Sequence, residues 1–138
     1  MSLTGPQVKW ITLLSDNRLY KEAVEYVERL REMPENSQLN GLMSYARDYD
    51  ELSKFVKHQE SKDTSSVNEK FYRGISGALR GLKVRIKECN LIPEDLSKKE
   101  SRQLSKEIEG RLAFEYIRHL VAAALLKNAE QAAQGGRR

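Results

Sequence analysis

The chain has 138 residues, 39% hydrophobic, 32% charged and 7% aromatic, and a net charge of +4. That length suits one domain. A membrane span is excluded, because the longest apolar run, Leu120 to Leu126, has seven residues against the ~18 a span needs. One cysteine, Cys89, excludes a disulfide framework or a cysteine-based zinc site.

Regularly spaced apolar residues and a modest net charge argue against disorder. The N-terminus shows no basic stretch followed by an apolar core, so a cytoplasmic, reducing setting is expected.

Helical periodicity recurs from end to end, with prolines only at 6, 34 and 93. Thr4-Gly5-Pro6-Gln7 reads as a capping box with Pro in the first turn, where its missing N–H costs nothing. The first helix then carries Val8, Trp10, Ile11 and Leu14 as its apolar face and is expected to end at Ser15-Asp16-Asn17. A second helix, about Arg18 to Glu32, repeats Leu19, Ala23, Tyr26, Val27 and Leu30 at steps of three and four. Met33-Pro34 stops it, since a residue before Pro avoids the helical region.

A short third helix follows Ser37, with Leu39, Leu42, Met43 and Ala46 inward. Asp48 with Glu51 marks a fresh N-cap and opens a fourth, carrying Leu52, Phe55 and Val56. Gln59 to Ser66 is polar and aperiodic and reads as a loop. Ser66 with Glu69 caps a long fifth helix, about Val67 to Glu88, whose core stripe is Phe71, Ile75, Ala78, Leu79, Leu82 and Ile86. Asn90 and Pro93 break the chain. Ser97 with Glu100 caps the sixth helix, about Lys98 to Gln131, with Gly110 as a point of kinking or splitting. At 1.5 Å per residue it reaches roughly 50 Å. Six helices with mostly short connections describe an all-α, single-domain bundle over residues 1–133, with 134–138 as a flexible tail.

The charge is unevenly placed. Lys70, Arg73, Arg80, Lys83, Arg85 and Lys87 put +6 into eighteen residues without an acid, while the rest of the chain holds 18 bases and 20 acids. On a helical wheel Arg73, Arg80, Lys83 and Lys87 share a sector of about 80° beside the apolar stripe. Gly74, Gly77 and Gly81 share another, away from the core, although each helical glycine costs about 1 kcal/mol relative to alanine. Glycines there admit a close backbone, either a sugar-phosphate chain or a neighbouring helix. Three readings of the stripe stand side by side: a solvated face, a nucleic-acid backbone site, and a seat for an acidic protein partner or a membrane surface, the membrane least favoured because the apolar stripe is needed for the core. Glu22, Glu25, Glu28 and Glu32 line one side of the second helix. That side reads either as a solvated face or as one that docks on the basic side of another copy.

No catalytic constellation emerges. His58 and His119 fall on different helices, and no metal-ligand spacing or phosphate-cradling glycine loop is present. Cys89 sits at a helix C-terminus, which does not activate a thiol. The carboxylates all fall on polar faces beside Lys or Arg. No enzyme activity, cofactor or metal is expected. A helix-turn-helix reading of the third and fourth helices is disfavoured, because Glu51 to His58 offers only Lys54 and Lys57 as cations and the preceding turn is acidic.

Three segments occur in order: LTGPQVKWI, then Leu39 to Gln59 (LNGLMSYARDYDELSKFVKHQ), then Phe71 to Leu82 (FYRGISGALRGL). Together they resemble the small helical subunit of type III CRISPR effector complexes, through Leu3, Thr4 and Gln7, Tyr45-Ala46-Arg47, and Phe71. The resemblance implies a non-catalytic subunit that stacks in copies within a larger ribonucleoprotein. It also implies contact with guide or target RNA, or another single strand, through the backbone, without base readout. The residues expected to carry such contacts are Arg73, Arg80, Lys83 and Lys87, flanked by Lys70 and Arg85, with Arg47, Lys54 and Lys57 secondary. The competing reading is a protein–protein adaptor with no nucleic-acid role.

Overall fold

The computed structural model describes residues 3–62 and 66–135. Among them lie five helices and no strand. The first, α1, covers residues 5–29 and opens on the expected capping box: Gln7 N–H donates to Thr4 Oγ1 at 3.3 Å and Thr4 N–H donates to Gln7 Oε1 at 2.9 Å. The others are α2 (Asn36–Tyr45), α3 (Tyr49–Ser61), α4 (Ser66–Glu88) and α5 (Lys98–Gly135). None is long and apolar enough to cross a membrane. The buried apolar side chains form one core cluster, and α5 packs against every other helix. Its stripe, from Leu104 through Leu112 and Ile117 to Ala124, is buried throughout.

The break expected at Ser15-Asp16-Asn17 does not occur. Gly5–Leu14 and Tyr20–Arg29 are joined by a π-helical turn over Ser15–Leu19, in which Tyr20 N–H reaches back to Ser15 O. The spacing of the buried positions explains it. Ile11, Ser15, Leu19, Ala23 and Val27 recur at steps of four, and on an α-helix four such steps drift by about 160° around the axis. A wider i→i+5 turn gives back part of that drift and keeps the row against α5. Asp16, Asn17 and Arg18 simply point to solvent. Val8 and Trp10, expected in the core face, are 45% and 57% exposed, and only Ile11 and Leu14 of that set are buried.

Helix α1 also ends earlier than expected, at Arg29, with Leu30 already extended. Lys127 of α5 donates its ammonium to the carbonyls of Val27, at 3.0 Å, and Leu30. A cation on the orphan carbonyls of a helix C-terminus satisfies them and opposes the negative end of the dipole. Asp48 caps α3 through Glu51 N–H at 3.2 Å. That helix continues through Ser61, into the segment expected to be a loop. The Ser66 side chain and residues 63–65 lie outside the described residues, and with them the expected Ser66–Glu69 capping box. At the end of α4, Asn90 adopts φ 55°, Leu91 N–H bonds Ile86 O and Asn90 N–H bonds Lys87 O. This is a Schellman ending with Asn in the left-handed position. The Ser97–Glu100 box opens α5 as expected. Gly110 does not split that helix, which runs for 38 residues to Gly135, about 57 Å. The expected tail is therefore helical at Gln134 and Gly135, and residues 136–138 lie outside the described residues.

The π turn places Ser15, 1% exposed, against α5. Its hydroxyl donates to Glu115 Oε2 at 3.0 Å and lies 2.8 Å from His119 Nε2. With the hydroxyl proton given to the carboxylate, the imidazole is the donor in the second contact. Burial alone would raise the Glu115 pKa. Hydrogen bonds from Arg118 and Ser15 and the charge of Arg111 outweigh it and hold the carboxyl below its ordinary value. Burial, then the charge of Arg118, push His119 below its ordinary 6.5, against the opposing charges of Glu115 and Asp16. Tyr20 stands edge-on to the imidazole at 5.3 Å. His119 is thus not isolated, as the sequence suggested, and Glu115 is a buried carboxylate rather than a surface one.

Both shifts mean that the unfolded chain binds more protons, so stability rises with pH. The His119 contribution is complete above its ordinary value near 6.5 and is lost as pH falls toward the lowered folded value. The Glu115 contribution is lost at more acid pH still. Urea denaturation followed from about pH 7.5 to about pH 5.5 should show the midpoint falling with pH. His119→Gln keeps a donor for Ser15 and should flatten that part of the profile.

Candidate nucleic-acid interface

The basic residues of α4 do not form one surface. Successive residues on a helix are 100° apart, so Arg85 and Lys87 face nearly opposite ways. Arg85 turns toward α1, ion-pairs with Glu22 and is only 23% exposed in its side chain. It is committed to holding α1 and is corrected out of the contact set. Glu22 correspondingly leaves the expected acidic face of α1, while Glu25 and Glu28 stay exposed and Glu32 lies beyond the helix end.

Two of the three glycines follow the wheel outward, and one does not. A Cβ on Gly77 or Gly81 would meet nothing within 4 Å, whereas one on Gly74 would lie 2.5 Å from ring carbons of Tyr26. Tyr26 lies across that glycine and donates its hydroxyl to Phe71 O at 2.7 Å. Burial pushes its pKa up to about 12, against the nearby charge of Arg29. Gly74 is therefore a close-approach glycine whose partner is internal, a correction to its expected place on an outward surface.

Arg73 pairs with Glu69 on its own helix, and Lys70 is exposed beside Arg29 and Arg31 of α1 and the turn that follows it. Arg47 sits 6.0 Å over the Phe114 ring. Lys54 is exposed, 3.9 Å from Glu51. None of these four lines the hollows between α3, α4 and α5.

The remaining cations converge. A hollow of about 340 Å³ between α3 and α4 is lined by Lys57, Arg80 and Lys83, with Ser53, Ser76, Val56 and Leu79 in its walls. A second, of about 670 Å³, lies between α4 and α5 and is lined by Lys83, Lys87, Arg102 and Lys106, with Ile86, Ile92, Ser101 and Ser105. The two share Tyr49, Lys83 and Glu109, so they form one groove with six cations along it. Three acids interrupt it. Asp50 pairs with Lys106 at 3.5 Å, Glu60 accepts from Ser76 Oγ at 2.8 Å, and Glu109 is buried. Tyr49 lines both hollows beside Glu109. Burial first, then the hydrogen bond and charge of Glu109, push its pKa up to about 12, so it is a proton donor at neutral pH.

Four expected residues, Lys57, Arg80, Lys83 and Lys87, are thus brought together, and Arg102 and Lys106 join them from α5. Sequence reasoning missed that pair because Glu100, Glu107 and Glu109 dilute the local charge. The signal was their i, i+4 spacing, which puts them on one face. The arrangement can hold a chain of phosphates, with flexible ammonium and guanidinium groups supplying charge and serine hydroxyls supplying hydrogen bonds. Among the described residues no three His, Cys, Asp or Glu side chains are placed to hold a metal ion. No protein-family model, curated protein or solved structure significantly matches the chain.

The glycines make opposite predictions. Gly77→Ala should stabilise the protein by up to about 1 kcal/mol through helix propensity. Gly74→Ala should destabilise it by about 1–3 kcal/mol, because the Tyr26 ring must be displaced from a packed site. Urea midpoints of the two variants test both signs.

Proposed function

We propose that the protein is a non-catalytic nucleic-acid-binding subunit that holds a sugar-phosphate backbone in the groove between α3, α4 and α5. The observation that carries this reading is the convergence of Lys57, Arg80, Lys83, Lys87, Arg102 and Lys106 from three helices onto one concavity. A merely solvated charged face needs no such convergence. The resemblance of the first part of the chain to type III CRISPR small subunits supplies the setting: a cytoplasmic ribonucleoprotein with guide or target RNA, larger partner subunits and stacked copies of this chain. Lys70, Arg73 and Arg85 have no direct part in the contact.

A second reading, a protein–protein adaptor, is favoured by the apolar side chains that α1 leaves uncovered, Trp10 at 57% and Leu13 at 42% exposure. The two readings concern different surfaces and are separable. Binding of the full chain to a labelled RNA strand should weaken steeply with salt, with a slope of about −0.7 per phosphate contacted. Lys83→Glu and Lys106→Glu should each weaken it and shallow that slope by about one contact. Lys70→Glu, off the groove, should leave it nearly unchanged. Equal losses from all three variants, or no binding at about 50 mM salt, would refute the groove.

A further inference from the structure

The groove contains one group that a pure backbone binder has no use for. Glu109 is 5% exposed yet lines both hollows. Among the described residues it forms no ion pair, unlike Glu115, which has Arg111 and Arg118. The Tyr49 phenol lines both hollows with it. A carboxylate has two oxygens and about four acceptor positions, more than one phenol could fill. Left there, the negative charge repels phosphates and weakens backbone binding. A clamp to Tyr49 alone would be served equally by an amide.

We propose that Glu109 reads an unpaired base, guanine by preference, so that the groove takes single-stranded rather than duplex nucleic acid. The inference rests on the backbone reading above. Guanine presents N1–H and the N2 amino group side by side, two donors for two carboxylate oxygens, and that edge is free only when the base is unpaired. Uracil offers one N–H between two carbonyl oxygens, which a carboxylate repels. Leu79 in one hollow and Ile86 in the other supply apolar walls for a base, and Lys83, shared between them, is placed for the neighbouring phosphate.

The test measures binding of the full chain by fluorescence anisotropy to three RNAs of about ten nucleotides. They are an all-uridine strand, the same strand with two separated guanosines, and that second strand annealed to its complement. The guanosine strand should bind about tenfold more tightly than the uridine strand, as a bidentate base contact gives, and annealing should remove the advantage. Glu109→Gln should level the two strands, weakening the guanosine strand while leaving the uridine strand unchanged or tighter. Tyr49→Phe, which spares the carboxylate, should keep the preference. Equal binding of the two strands by the wild-type chain, or a loss shared equally by both strands in Glu109→Gln, overturns the base reading alone. Failure to bind any strand at low salt overturns the backbone reading with it.

Discussion

Burial of one long helix governs the rest of the structure. Eleven side chains of α5 are buried, and no other helix offers a surface long enough to organise the remaining four. An amphipathic helix gains most of its stability from tertiary packing rather than propensity, so the positions of α1 to α4 follow from which part of the α5 stripe each covers. The stripe spreads around much of the axis, which is why neighbours sit on more than one side. Two of its buried members are carboxylates. Glu109 and Glu115 are six residues apart, about 120° around the helix; Ser15 of α1 donates its hydroxyl to Glu115, and Tyr49 of α3 lines the groove with Glu109. Buried charged groups are weak contributors to stability but good specifiers of register. A slip of α1 along α5 would strand Glu115 without its Ser15 donor.

The same geometry divides the charge of α4. One flank faces α1, and there a basic residue becomes structural: Arg85 is neutralised by Glu22, on the same flank as Gly74, which admits the Tyr26 ring. The other flank faces the gap between α3 and α5, where no acid pairs with Arg80, Lys83 or Lys87 among the described ion pairs. Close like charges raise the free energy of the folded bundle, and salt screens exposed ones over about 8–10 Å. A row of unpaired cations therefore favours whatever anion relieves it. The net +4 of the chain understates this, because it averages a neutralised flank with an unneutralised one.

What could be read from the residues alone was whatever depends on neighbours in sequence. The Thr4–Gln7 and Ser97–Glu100 boxes, the Asp48 cap and the Phe71-to-Ile86 stripe are local patterns, and the structure has them. What failed depends on residues far away. The π turn was illegible because Ser15-Asp16-Asn17 has the composition of a helix end, and only the need to keep Ser15 and Leu19 on α5 holds it helical. The early stop of α1 depends on Lys127, about a hundred residues on. The candidate site divides the same way. The sector containing Arg80, Lys83 and Lys87 was visible on the wheel, and Arg85 already lay outside it. That Arg102 and Lys106 face this sector required knowing that α5 packs beside α4.

The two buried carboxylates also separate the molecule's surfaces. Because Glu115 meets α1 and Glu109 meets α3, helix α1 and the groove lie on different flanks of α5. A strand lying in the groove would contact α3, α4 and α5 and would not need to displace α1. The uncovered apolar residues of α1, Trp10 and Leu13, therefore stay available while the groove is filled. One surface cannot be both strongly cationic and strongly apolar, so the two lie apart. Here the division follows from the geometry of one helix. The cationic side and the side that exposes tryptophan lie where Glu109 and Glu115 fall around its axis.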